Sequence, residues 1–266
     1  MSEYTDFYMS WLGCAAFGNG TTTQLITPIP VVFKPTDISD CSVWLDGTDN
    51  VSITADGSNN VLSWANKGDL SGAFVDISGQ ATPLTNTHDI SGNNVVWFDS
   101  YQSLAANLTF PTEAFTLFGV GTVLSDLTVN NYASFFLGLN SYDFGQNIFW
   151  DSGSSLYYNG IAANGIDITV LTTTVSDPQN VTAIYAYRAS SDLSSNEILI
   201  NGTSQTLAFN QHVGYNTSAS DYYLHYYGHS SSLDMGELII YNRALTNIEV
   251  TEVLTYLSGK WGIPLV

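Results

Sequence analysis

The 266-residue chain is long enough to bury a sizeable core as one all-β unit. Only 11% of its residues are charged, and the charge is one-sided: 24 acidic residues against five basic, a formal net charge of −19. That balance argues against a nucleic-acid or anionic-membrane surface, because no basic stripe exists to neutralise phosphates. A neutral partner, a cation or a basic surface stays open, as does the plain role of keeping a lysine-poor surface soluble.

Seven prolines, 22 glycines and 13% aromatic residues suit short strands joined by turns. No stretch reaches the ~20 apolar residues of a bilayer span. The acidic N-terminus, with its short apolar part, does not read as a signal peptide, so synthesis in a cytosol is expected. Cys14 and Cys41 are too few for a disulfide framework or a zinc site and are expected to be idle, buried thiols.

Residues 1–36 have a texture of their own. Tyr8, Trp11 and Phe17 are scattered without a clean period, and Pro28, Pro30 and Pro35 bracket an apolar run ending in Phe33. Prolines so placed hold a chain extended and resist a central strand. Two readings stand: an arm folded back on its own domain, or an arm docking on another subunit through Tyr8, Trp11, Phe17 and Phe33.

From residue 37 to 266 the pattern is regular. Strands are expected at 41–46, 51–53, 61–64, 95–99, 115–123, 134–139, 147–150, 156–158, 181–188, 197–200, 222–227 and 237–241, separated by Asp-Gly, Asn-Asn and Asn-Gly turns. Asp46, Asp49 and Asp99 lie in turn-rich segments and are candidate oxygen ligands for calcium, although aspartates are common in turns for reasons of their own. Tyr185 and Tyr187 fall on one face of their strand, and Tyr223, His225 and Tyr227 on one face of theirs. Such faces could stack sugar rings, or simply fill the sandwich.

The chain closes on a helix. Thr246 and Glu249 form a capping box, and Val250, Val253, Leu254 and Leu257 make one apolar stripe. Gly259 stands where a helix ends in a left-handed residue. A dozen strands and one terminal helix predict an all-β, two-sheet antiparallel sandwich with a short C-terminal α-helix and an extended N-terminal arm.

Several of these pieces resemble the laminin-G-like members of the concanavalin A-like lectin/glucanase superfamily. Val43-Trp44-Leu45-Asp46-Gly47 with Asp49 looks like that family's opening L-W-L-D-A-x-D. Val61-Leu62-Ser63-Trp64 with Asn66-Lys67-Gly68 is similar to its V-x-x-W-x-D-x-S-G, with Asn66 in place of the acid. Asn94-Val95-Val96-Trp97-Phe98-Asp99 resembles N-V-V-R-F-D-G, departing at Trp97 and Ser100. The closing strand, capped helix and Lys260-Trp261-Gly262 follow its C-terminal signature nearly throughout. The resemblance covers about residues 38–264 and implies a jelly roll whose concave face and rim loops often hold glycans or calcium. Trp44, Trp64, Phe98 and Trp261 read as framework. The fold by itself licenses no function.

Glycanases of this superfamily carry three acids as Glu-x-Asp-x-Glu, which alternation places on one strand face. The chain has no such run, and the nearest, Asp234-Met235-Gly236-Glu237, should send its two acids to opposite faces. Two arginines and three lysines are too few for a uronate site, and His88, His212, His225 and His229 have no Gly-x-Ser-x-Gly elbow beside them. The missing signal peptide, the polar acidic composition and the aromatic arm lead to the expectation of a non-enzymatic structural or adhesion protein displayed on a virus or phage particle, its arm docking to other virion proteins or to copies of itself, with no cofactor and calcium left open. A glycan-binding lectin module is the alternative, and a polysaccharide-active enzyme the third.

Overall fold

A computed structural model describes residues 33–76, 82–99, 102–108, 114–124, 132–140, 143–151, 157–163, 169–175, 180–190, 194–207, 221–225 and 232–266, with strands between 132 and 175 described through their backbone alone. The chain divides into two units, Met1–Val32 and Phe33–Val266. The arm candidates Tyr8, Trp11 and Phe17 lie outside the described residues. Phe33 belongs to the second unit: its ring packs on the core cluster beneath the C-terminal helix, 5.5 Å from that of Tyr256. That contact moves the expected boundary from 36 to 32 and corrects the assignment of Phe33 to a docking arm.

Seventeen strands and one α-helix are described: β1 (Cys41–Asp46), β2 (Ile53–Ala55), β3 (Val61–Ala65), β4 (Ala73–Val75), β5 (Leu84–Ile90), β6 (Asn93–Phe98), β7 (Leu104–Asn107), β8 (Phe115–Val123), β9 (Tyr132–Asn140), β10 (Asp143–Asp151), β11 (Tyr157–Ala163), β12 (Thr169–Val175), β13 (Thr182–Ala189), β14 (Glu197–Ile200), β15 (Thr203–Ser204), β16 (Asp221–Leu224), β17 (Leu233–Tyr241) and α1 (Asn247–Trp261). They form two antiparallel sheets. The first runs β15-β14-β13-β8-β17-β6-β5, with β1 also on β17; the second runs β12-β11-β10-β9-β16-β7-β4-β3-β2. The expected two-sheet sandwich with one C-terminal helix is the fold observed.

Alternation builds two apolar layers from the first sheet. Val43, Leu45, Val96, Phe98, Tyr185, Tyr187, Leu238 and Ile240 point inward and meet Trp64, Phe74, Leu104, Tyr222 and Leu224 of the second sheet. Trp44, Val95, Phe118, Val120, Ile184 and Ile239 point outward and are covered by Val250, Val253, Leu254, Leu257 and Trp261 of α1. Each fully covered side chain of this kind stabilises by roughly 1.5–3 kcal/mol, which holds the helix on the sheet.

The capping box is formed: the Thr246 hydroxyl accepts from the Glu249 N–H at 3.3 Å, and the Glu249 carboxylate accepts from the Thr246 N–H at 2.8 Å. The helix does not stop at Gly259. It continues to Trp261, and Gly262 (φ 66°) takes the left-handed position. The longer helix brings Lys260 and Trp261 down onto the sheet, where both are tied by the interactions described next.

Candidate functional site

One irregularity in β17 organises the polar chemistry of the outer face. The pairing register shifts between Met235 and Glu237, and the neighbour on that edge changes from β6 before the shift to β1 after it. Such a bulge adds one residue to one strand and re-aims the side chains beyond it. Leu233 and Met235 point into the sandwich, so Asp234 points outward, and Glu237 points outward too. The expectation that Asp234 and Glu237 take opposite faces is therefore corrected. Gly236 makes this possible because a Cβ there would lie 2.9 Å from the Trp261 ring.

Glu237 is fully buried. Its Oε1 accepts from Trp44 Nε1 and from the Tyr256 hydroxyl, and its Oε2 from Trp261 Nε1 and Lys260 Nζ, each at 2.8 Å. Burial pushes this carboxyl up, against the pull of Lys260. Four donors converging on two oxygens describe an acceptor, which is the ionised form. Lys260 also reaches Asp46 at 2.6 Å, and Lys67 bridges Asp46 at 3.2 Å and Asp49 at 2.7 Å while lying 3.9 Å over the Trp44 ring. Burial works upward on Asp46, yet Lys260, Thr48 and Lys67 outweigh it and hold its carboxyl below the usual range.

The surroundings of Asn66 suit an amide. Its Oδ1 accepts from the Trp44 and Gly68 N–H groups at 2.8 and 2.9 Å, while its Nδ2 donates to the Ser42 carbonyl at 2.9 Å and to that of Leu70. A carboxylate there would face two carbonyl oxygens with no proton to give. Gly68 is equally constrained, since a Cβ would lie 2.6 Å from the Cys41 carbonyl.

A second cluster lies on the same face, where β5 forms the sheet edge. The β5–β6 register shifts between Thr85 and Asp89, so His88 sits in a bulge. Its ring stacks on Trp97 with centroids 4.8 Å apart and an interplanar angle of 28°. Its Nδ1 lies 2.7 Å from Asp234 Oδ1; the His88 side chain is 35% exposed and that of Asp234 is 8%. Burial pushes the Asp234 carboxyl up, with His88 opposing it and Asp89 adding to it. Trp97 Nε1 is buried and has no hydrogen-bond partner among the described residues.

The residues expected to bind sugar are placed otherwise. Tyr185 and Tyr187 share a face as expected, but that face is the sandwich interior, where they are 3% and 0% exposed. Tyr223 is 9% exposed, and His225 is fully buried with Nδ1 2.9 Å from the Gln102 carbonyl. Strand β16 ends at Leu224 and His225 takes φ 50°, which breaks the alternation expected through Tyr227. Tyr227 lies outside the described residues. The calcium candidates do not converge. Asp46 and Asp49 are bound to lysines, whereas Asp99 accepts from Ser232 at 2.9 Å, about 16 Å away along β17. Among the described residues no three His, Cys, Asp or Glu side chains form a group able to hold a metal. Cys41 is buried, and burial pushes its thiol up to about 12.

No family model matches the sequence, and no curated protein matches it. Solved structures do match in fold. The binding domain of botulinum neurotoxin serotype D superposes with a TM-score of 0.58 at 12% identity, over 85% of this chain and 54% of that one. Botulinum neurotoxin type C, whose cell entry depends on interaction with two ganglioside molecules, gives 0.59 at 8% identity over 84% and 53%. A Trypanosoma rangeli sialidase in complex with sialic acid gives 0.52 at 13% identity over 84% and 33%. The chain thus spans about half the length of the toxin domains and a third of the sialidase. What they share with it is a β-sandwich of jelly-roll type.

Proposed function

We propose that this protein is a non-catalytic carbohydrate-binding adhesion module of the laminin-G-like kind. The observation that carries the reading is the closed network around Glu237. This carboxylate is sealed by four donors of its own framework and is 0% exposed, so it has no route to a glycosidic bond. A glycosidase needs a second carboxyl within about 5–10 Å of the first, both reachable by the sugar. The fold neighbours agree in kind, since toxin binding domains are among them. The signature residues retained at Trp44, Trp64, Phe98 and Trp261 hold the scaffold and leave binding to the remaining outer surface.

Display on a virus or phage particle is the setting we infer, with Met1–Val32 as the tether to other particle proteins or to further copies of the chain. The division of the chain after Val32 supports it. Purified particles should contain the protein by mass spectrometry, and deletion of residues 1–32 should abolish its incorporation. Presence in host lysate with none on particles would sink that setting. For the binding function, the full-length chain on a glycan array should retain specific sugars without releasing new reducing ends. Release of such ends would overturn the non-catalytic assignment.

A further inference from the structure

The outer face of the first sheet also carries a row of residues that the Glu237 network does not use, of which Thr122 and Asp234 are buried. Thr182 of β13, Thr122 of β8, Asp234 of β17 and Trp97 of β6 are successive cross-strand partners. They lie two residues along from Ile184 and Val120, which pack in the helix-covered cluster. His88 folds over the end of this row from the bulge in β5.

Three polar atoms here have more capacity than their surroundings satisfy. Trp97 Nε1 is a buried donor with no partner among the described residues. Asp234 binds His88 through Oδ1, and among the described residues its Oδ2 accepts nothing. His88 is 35% exposed and held through Nδ1, which donates when Asp234 is ionised; Nε2, then the acceptor of the neutral ring, makes no hydrogen bond among the described residues. Buried polar groups are normally satisfied, so the buried Trp97 N–H, beside two acceptor atoms with bonding capacity to spare, describes the complement of a ligand that both donates and accepts. Hydroxyl groups do both. The flat His88–Trp97 stack adds a surface suited to the C–H face of a pyranose ring.

The geometry points to a neutral-sugar subsite built from His88, Trp97 and Asp234 at the β5 edge of the first sheet. The assignment rests on the carbohydrate-binding reading above and narrows it to uncharged sugars. A carboxylate stands in the site, and the chain carries −19 overall. Of its five Lys and Arg side chains, Lys67, Lys260, Arg188 and Arg243 are already ion-paired within the framework. An acidic sugar such as a sialoside would find repulsion and no cation.

The test is an array of neutral oligosaccharides and their sialylated counterparts probed with the full-length protein, His88→Ala and Trp97→Phe, each checked for a cooperative thermal transition. The neutral set should bind and the sialylated set should not, with both variants roughly tenfold weaker. Trp97→Phe keeps an aromatic ring while deleting the free N–H, so it stays informative if His88→Ala disturbs the edge strand. Neutral-sugar binding by the wild type that both folded variants retain at full strength overturns the subsite and leaves the carbohydrate reading standing. Preference for the sialylated set overturns the neutral assignment. Binding of no glycan by the wild type overturns both.

Discussion

The two polar clusters on the outer face of the first sheet contain the same ingredients and differ in whether they close. Around Glu237 the groups are a buried carboxylate, two indoles, a phenol and a lysine, and every acceptor site on the carboxylate meets a donor. Around Asp234 the groups are a buried carboxylate, one indole and one imidazole, and among the described residues a donor and two acceptors are left over. The difference is cover. Trp261 and Lys260 on the last turn of α1 complete the first cluster, whereas the second is capped by His88 on an edge strand, whose side chain is itself 35% exposed. A buried charge that its own chain satisfies is framework; the one left with capacity to spare is where we propose a ligand.

The largest effect should come from breaking the closed cluster. Glu237→Ala would leave the Trp44 and Trp261 indole N–H groups and the Tyr256 hydroxyl without their acceptor, and Lys260 with Asp46 alone; removing one partner of a buried pair costs about 3–5 kcal/mol. Urea unfolding should show the midpoint falling accordingly. Next comes Asn66→Asp, which replaces two donated bonds with carboxylate–carbonyl repulsion. A loss of about 1–3 kcal/mol is expected by the same measurement.

A subtler probe is the cap that positions α1. Arg243 and the Thr246 backbone hold the Glu249 carboxyl down at about 2 in the folded state, against roughly 4.3 in an unfolded chain. The folded value is the lower one, so this contribution is fully present above the unfolded value and is lost as pH falls toward 2. Thermal melts should therefore show Glu249→Gln less stable at neutral pH and with a shallower loss between about pH 5 and 2. A parallel loss in variant and wild type would remove the cap from the acid response. The open cluster should lose less than the closed one: His88→Ala removes a partly exposed partner of the Asp234 carboxylate and should cost about 1 kcal/mol. A loss as large as that of Glu237→Ala would erase the contrast between the clusters.

Much of the scaffold was legible because it depends on local chemistry. The capping box, the helix stripe and the apolar strands 41–46 and 115–123 each state their structure in their own residues. The open cluster was not legible, for two physical reasons. Strand β5 reads Leu-Thr-Asn-Thr-His-Asp-Ile, with polar residues on both faces, and pairing at a sheet edge rather than alternation makes it a strand. The bulge near Gly236 is set by Trp261, 25 residues downstream, so simple alternation put Asp234 and Glu237 on the wrong relative faces. The tyrosine faces failed in the opposite sense: periodicity grouped Tyr185 with Tyr187 correctly, but it does not say which face looks inward. One signal did mark the open cluster. Trp97 replaces the arginine of the motif that its segment otherwise resembles, and it is the base of the stack.

The scarcity of cations has one more consequence, for proteolysis. Trypsin-like proteases cut after lysine or arginine, and the chain offers five such bonds. Four follow Lys67, Arg188, Arg243 and Lys260, whose side chains are clamped to carboxylates, and the fifth, Lys34-Pro35, is a bond these enzymes cleave poorly. The folded protein should pass through a trypsin-rich environment uncut, and digestion should begin only when the whole domain opens.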